Sequence, residues 1–333
     1  MLKNYLKKNW TQFIGTELPA NVQLVPISSC TDEYGNDIIL LFIEAESYPR
    51  YVMKICRNSQ YNSKLENEYS ALRHLMGTAK INSKIPTPFH LGRWEDKVFF
   101  LQEGLAGISL YSLIKERGLN KKTFASVEES IDLLIQINHV QITGKSNIAE
   151  DFLSDFESVL SNASVCQAQI SRIKDEREIF LKEGRCYFTQ GDYWPRNILV
   201  DKKTKNVAGI IDWEFSISRS PFPIDCMWFL LNLGYCLALK NADNTSIMEA
   251  FKSTFFSQGK HNDFICACYN RYALRIGIDK DSFFPLLEIL LVEMSLREYR
   301  AYGKHMAMDF VCLDMLKYLH SHKDTLVLNS VSG

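Results

Sequence analysis

Two aspartates and an asparagine stand out in "CYFTQGDYWPRNILVDKKTKNVAGIIDWEFS", residues 186–216: Asp192, Asn197 and Asp212. Carboxylate and amide oxygens are hard ligands suited to a magnesium ion, and a carboxylate can also take the proton of a hydroxyl. The segments between them are apolar. "CYFT" reads as a short buried strand entering a loop, "NILV" as a second strand, "DKKTKN" as a polar turn and "VAGII" as a third strand ending at Asp212. That places Asp192 in the loop, Asn197 five positions on, and Asp212 at the end of a hairpin. A single Asp at such a place is an ordinary turn or cap residue. An ordered set of oxygen ligands at strand ends points to chemistry.

A lysine and a glutamate upstream extend the set. In "SKLENEYSALRHLM" the apolar stripe of a helix over 64–76 is Leu65, Tyr69, Leu72, Leu75 and Met76, and Glu68 falls inside it. A carboxylate on a buried face needs a cation, because an unpaired buried charge costs several kcal/mol. The nearest upstream basic residue with the same problem is Lys54, in the strand "RYVMKI". A Lys54–Glu68 pair would satisfy both; otherwise Lys54 snorkels to water and Glu68 sits at the stripe's edge. Ser63 and Glu66 have the spacing of a capping box at the start of this helix.

The elements that must position these residues divide the chain by texture near residue 105. Before it, "NVQLVPIS", "DIILLFIEA", "RYVMKI" and "KVFFLQE" read as strands separated by turn residues. After Gly107 the pattern is helical near 109–117, 127–142, 149–163, 167–182, 224–239, 246–257, 262–276, 282–302 and 306–321. The expectation is an α+β chain with a small antiparallel sheet lobe, residues 1–104, and a larger helical lobe, residues 105–333. At the N-terminus Leu2, Leu6, Trp10 and Phe13 recur at helical spacing.

With 38 Lys plus Arg against 39 Asp plus Glu, the formal charge is −1, which gives nucleic acid and anionic membranes no support as partners. The longest apolar stretch, "CMWFLLNLGYCLAL", is too short to cross a bilayer. Nine scattered cysteines without a zinc spacing read as reduced thiols of a cytoplasmic protein.

Taken in order, these motifs resemble the aminoglycoside phosphotransferase and choline kinase group of the protein-kinase-like fold. "QGDYWPRN" resembles the family's catalytic loop, usually His-Gly-Asp-x₄-Asn, and "IDWE", Ile211–Glu214, resembles its metal segment. "NEYSALRHL", "IPTPFHLG", "LQEGLAG" and "PFPIDCMWFL" resemble its paired-Glu helix, Pro-rich link, hinge, and the Asp-led helix after the metal segment. The resemblance spans about residues 20–300. It implies a two-lobed kinase-like fold and transfer of the γ-phosphate of ATP to the hydroxyl of a small molecule. Asp192 would accept the acceptor's proton, and Asn197 and Asp212 would hold magnesium. Lys54, oriented by Glu68, would hold the α- and β-phosphates, and backbone groups of Gln102 and Gly104 would bond adenine. Phosphoryl transfer asks chiefly for positioning and for charge around the phosphoryl oxygens, which fits this set.

The chain departs from the family's pattern at two places. Gln190 stands where the family has His; a Gln amide can also donate and accept, and is expected to face inward and orient the loop. The loop "SSCTDEYGND" has one glycine and three acids, where close approach to phosphate favours glycines. These features motivate a second hypothesis, a nucleotide-binding pseudokinase or partner-binding protein without turnover. A third, a protein kinase, is opposed by the short "WEFSISRSPFPID" between Asp212 and Asp225. Tyr193 and Trp194 read as packing rather than as an aromatic cage. Glu214 is expected on metal or substrate, or paired with Arg196 or Arg219. Glu288, Glu293 and Glu298 offer acid for a cationic acceptor, but Arg297 and Arg300 accompany them, so the acceptor stays open.

Overall fold

The computed structural model describes residues 2–28, 34–43, 46–78, 81–140, 167–241, 244–302 and 311–326. The chain forms two compact units, Met1–Ser109 with Asn197–Ser216, and Leu110–Arg196 with Ile217–Gly333. The helix expected over 149–163 and residues 29–33 of the expected phosphate loop lie outside the described residues.

The first unit is built on an antiparallel five-stranded sheet: β1 (Val22–Ser28), β2 (Asn36–Ile43), β3 (Tyr51–Cys56), β4 (Pro88–Trp94) and β5 (Lys97–Glu103), in the order β1-β2-β3-β5-β4. The period-2 alternation of β3 sorts its residues to two faces. Met53 and Ile55 join a core with Leu6, Trp10 and Phe13 of α1 (Leu2–Ile14) and with Ile39, Leu41, Phe99 and Leu101. Lys54 belongs to the opposite set and lies in register with Ile38 and Phe100. The helix α2 (Asn62–Leu75) carries Leu65, Glu68, Leu72 and Leu75 on its buried side. Its ring Tyr69 meets Phe100 edge-on at 5.7 Å.

The α2 helix corrects one expectation. Ser63 lies inside it, the N-cap is Tyr61, and no side chain caps it. The chain enters instead through a 3₁₀ turn, Ser59–Tyr61, whose N-cap Asn58 accepts from the Gln60 N–H. Glu66 is thereby released to the surface, where Arg93 pairs with it at 3.1 Å.

A second small sheet in this unit joins Ile108–Ser109, Ile198–Val200 and Val207–Ile210. The turn between the last two strands is fixed by Asp201, whose carboxylate accepts from the Lys203 and Thr204 N–H groups. Asp212 follows directly on this hairpin.

Among the described residues the second unit holds α3 (Leu110–Arg117), α4 (Lys121–Asn138), α5 (Gln167–Lys182), α6 (Asp225–Asn241), α7 (Ile247–Phe255), α8 (Lys260–Ile276), α9 (Phe283–Tyr302) and α10 (Val311–Ser321). Among the described residues its sheet is a two-stranded pair, Tyr187–Thr189 with Ile217–Ser220. Among the described residues no helix is long and apolar enough to cross a membrane.

Candidate active site

In the first unit, β3 and α2 bring Lys54 and Glu68 together as their buried positions require. Lys54 Nζ donates to both Glu68 oxygens at 2.8 Å, with the Glu68 side chain fully buried. The same ammonium reaches Asp212 Oδ1 at 2.8 Å, a contact that pattern reading did not reveal. Burial alone would lower the Lys54 pKa, but the charges of Asp212, Glu68 and Glu214 more than offset it, and the net direction is up. Lys54 therefore stays cationic at physiological pH. The Trp213 N–H adds a 3.3 Å bond to Glu68 Oε1, and the Trp213 indole donates to Ile210 O, so the turn at Asp212 is anchored on both sides.

Asp212 itself has φ +66°, the left-handed region that a non-glycine residue occupies at a cost. Carboxylate oxygens of Glu68, Asp212 and Glu214 come within 4.8 Å of one another. They are not equivalent. The Asp212 side chain is 37% exposed, against 0% for Glu68 and 10% for Glu214. Of the three, Asp212 has the most accessible carboxylate. The hard-oxygen donor set fits a magnesium ion, with the Asn197 amide a further oxygen on the same unit. Asn197 is buried, and its backbone carbonyl accepts from the Ile211 N–H at 2.9 Å, which ties it to the residue before Asp212.

Glu214 has partners that the sequence did not suggest. Lys64 of α2 meets it at 3.0 Å and the Asn36 amide at 2.8 Å. Lys64 also donates to Tyr34 O and stands 3.7 Å over the Tyr34 ring. Glu214 thus ties the start of β2 to α2. Lys64 and Asn36 gave no signal as partners, because they are distant in sequence and each reads as an ordinary surface or turn residue. Arg196 stacks on Tyr111 and Trp194, while Arg219 lies against Cys186.

At the end of β5, Gln102 is in register with Val52 and Pro88 and is 2% exposed. Its side-chain Oε1 is buried without a hydrogen-bond partner among the described residues. The Gly104 N–H donates to Arg50 O at 2.9 Å, so it is already used within the unit. A Cβ at Gly104 would come 2.0 Å from Pro49 O, so the position requires glycine.

In the second unit, the loop 190–195 is held from several directions. Gln190 is fully buried, and its Oε1 accepts from the Asp192 N–H at 2.7 Å, the inward orienting contact its position suggested. The Gln190 and Gly191 N–H groups donate to the two Asp225 oxygens at 2.6 and 2.9 Å. Burial raises the Asp225 pKa to about 6, with the two N–H donors and Arg297 acting against it. It remains an anion at neutral pH. Arg297 of α9 donates to Gly191 O. The Asp192 carboxylate receives the indole N–H of Trp228 at 2.8 Å. Tyr193 is buried, with its hydroxyl donating to Ser130 O, so it is packing.

Glu288 also falls on the structural side. Its side chain is fully buried and bound by Arg172 and His320, so it is not an acid of an acceptor cleft.

Solved structures with this architecture include aminoglycoside phosphotransferases. A streptomycin–ATP–APH(2″)-IIa ternary complex superimposes with a TM-score of 0.55 at 12% identity, over 96% of this chain and 97% of that one. The GDP complex of wild-type aminoglycoside 2′-phosphotransferase-IIIa gives 0.55 at 14%, over 95% and 99%. APH(3″)-Id from Streptomyces rimosus gives 0.52 at 14%, over 95% and 97%. The fold is therefore the two-lobed protein-kinase-like α+β fold, an antiparallel sheet lobe with a helical lobe. No curated protein sequence matches the chain. Residues 33–221, more than half of the 333, match the phosphotransferase enzyme family, and the chain belongs to that family.

Proposed function

We propose that the protein transfers the γ-phosphoryl group of ATP to a hydroxyl of a small molecule such as a sugar, an aminoalcohol or an aminoglycoside-like compound. The observation that carries this reading is the Lys54–Glu68–Asp212 cluster, a buried ammonium fixed between one fully buried carboxylate and one partly exposed carboxylate. A purely structural ion pair needs only the first. The aminoglycoside phosphotransferases of the same fold include complexes with ATP, ADP and GDP, which supports a nucleotide site.

In this reading residues 1–104 bind the nucleotide and 105–333 carry the base and the acceptor. Lys54, held by Glu68, contacts the α- and β-phosphates, and Gln102 and Gly104 border the adenine through their backbone. Asp212 and Asn197 hold magnesium, which when bound neutralises charge on the β- and γ-phosphate oxygens. The acceptor hydroxyl gives its proton to the Asp192 carboxylate as its oxygen bonds to the γ-phosphorus. The bond from that phosphorus to the β–γ bridging oxygen breaks, and ADP leaves. The setting is cytoplasmic, without nucleic acid or membrane as partner.

The test is twofold. MgATP at millimolar concentration is expected to raise the thermal midpoint by mass action, and Asp212→Asn is expected to remove the metal-dependent part of the rise. ATP turnover is then measured against sugars, aminoalcohols and antibiotics. Absence of any shift with MgATP or other nucleotides removes the kinase reading. A shift without turnover on any acceptor favours the pseudokinase.

A further inference from the structure

The helix α6 presents two side chains to the loop that carries Asp192. Asp225, its first residue, takes the Gln190 and Gly191 N–H groups. Trp228 follows three positions later, on the same face of the helix, and its indole Nε1 lies 2.8 Å from Asp192 Oδ1. Several bonds act on the main chain of this loop: Gln190 Oε1 on the Asp192 N–H, the Trp194 N–H on Asp192 O at 2.9 Å, and Arg297 on Gly191 O. The bond from Trp228 acts on the carboxylate.

We infer that Trp228 is the positioning residue of the reaction, holding the Asp192 carboxylate toward the acceptor hydroxyl through its indole N–H. The inference rests on the reading of Asp192 as the base. An indole N–H is suited to this work for a physical reason. It donates one hydrogen bond, accepts none and carries no charge. It can therefore fix the side-chain torsions of a carboxylate without forming the ion pair that would draw down its basicity. The ring is rigid and has two torsions, so holding it costs little entropy. Placement on α6 couples its orientation to Asp225, so one helix sets both the main chain of the loop and the side chain of the base. Nothing in the motif "QGDYWPRN" points to Trp228, since the residue lies 36 positions downstream in an apolar run.

The experiment uses the full chain with ¹⁵N-labelled indoles and two arms. In the spectroscopic arm, loss of one indole resonance in Trp228→Phe assigns Trp228 among the five tryptophans. That resonance is expected to lie downfield, as for an N–H bound to a carboxylate, and to move upfield in Asp192→Asn while the other four stay in place. An unmoved Trp228 resonance overturns the inference. In the kinetic arm, Trp228→Phe is expected to lower kcat about 10-fold, the loss of one hydrogen bond to a charged group. KM for ATP and the thermal midpoint are expected to stay near those of the wild type, and Trp228→His, which keeps a ring N–H, is expected to recover part of kcat. A wild type that turns over while Trp228→Phe keeps full kcat overturns this inference and leaves the phosphotransfer reading standing. A wild type that neither transfers phosphate nor hydrolyses ATP fails that reading, and the positioning role falls with it. A Phe variant whose kcat falls only in proportion to a lowered midpoint also overturns it, as a packing effect.

Discussion

The groups that reach the Lys54 and Asp192 side chains differ in kind. The Lys54 side chain sits in a mesh of charge: two carboxylates bind it directly, a third adds to the field, and Glu68 among them is fully buried. Asp192 is reached by a neutral indole, its main chain is bound by a neutral amide, and the nearby anion Asp225 is aimed at backbone N–H groups. The difference follows from what each group would have to do. A residue that meets phosphate oxygens must keep its charge, and neighbouring carboxylates secure it. A residue that takes a proton must keep its basicity, and a cation bound to it would reduce that. Charge surrounds the first group; the second receives a directional hydrogen bond from a neutral donor.

The largest effect is expected where charge does the holding. Lys54→Met leaves the buried Glu68 without its cation, which typically costs about 3–5 kcal/mol. Chemical denaturation should show that loss, and Lys54→Met combined with Glu68→Met should recover much of it. Equal stability of the single variant and the wild type would show that the ammonium is not what holds Glu68. The next effect separates function from stability. Asp192→Asn is expected to lower turnover by at least ~10², with the thermal midpoint and nucleotide affinity nearly unchanged. Full turnover in that variant removes Asp192 as the base.

A smaller effect sharpens the comparison at Gln190. Its Oε1 acts as an acceptor for the Asp192 N–H. A histidine can take over this role only while its ring is neutral, since the protonated ring has no acceptor. Gln190→His is therefore expected to keep turnover within a few-fold above about pH 7 and to lose activity below the ordinary His range near 6.5. A Gln190→His profile that parallels the wild type on the acid side would show that the acceptor contact does not matter.

The smallest effect concerns a third arrangement, the half-buried Glu176 of α5 beside the buried Glu288 of α9. Burial, followed by a hydrogen bond and repulsion from Glu288, raises the Glu176 pKa from 4.5 to about 8. Arg172 and Lys323 oppose the shift, and His320, pushed down to about 4, is neutral in the folded state above that range. Here the fold favours the protonated acid. Its contribution is full below about 4.5 and is lost as pH rises toward 8. Between pH 6.5 and 8, where the His320 contribution has levelled off, stability should fall by up to about 1.4 kcal/mol per pH unit. Glu176→Gln should flatten that slope; an identical slope would place the cause elsewhere.

What the sequence by itself determined is the list of parts and the first contact. Lys54 and Glu68 were legible as a pair because each breaks an apolar periodicity, and a buried charge has few remedies. The loop carrying Asp192, the hairpin ending at Asp212 and the inward Gln190 were legible for a similar reason: short apolar strands fix the direction in which their ends point. The tertiary structure decided the partners that no local pattern encodes. The capping box failed because Asn58 opened the chain one turn earlier. Glu214 went to Lys64 and Asn36, 150 and 178 positions away. Trp228 reached Asp192 from what reads as plain core, because a helix placed by Asp225 turned its indole N–H toward the loop. Periodicity tells which residues are buried; only packing tells which buried polar atoms meet, because each such atom takes whichever complementary group the fold brings within about 3 Å.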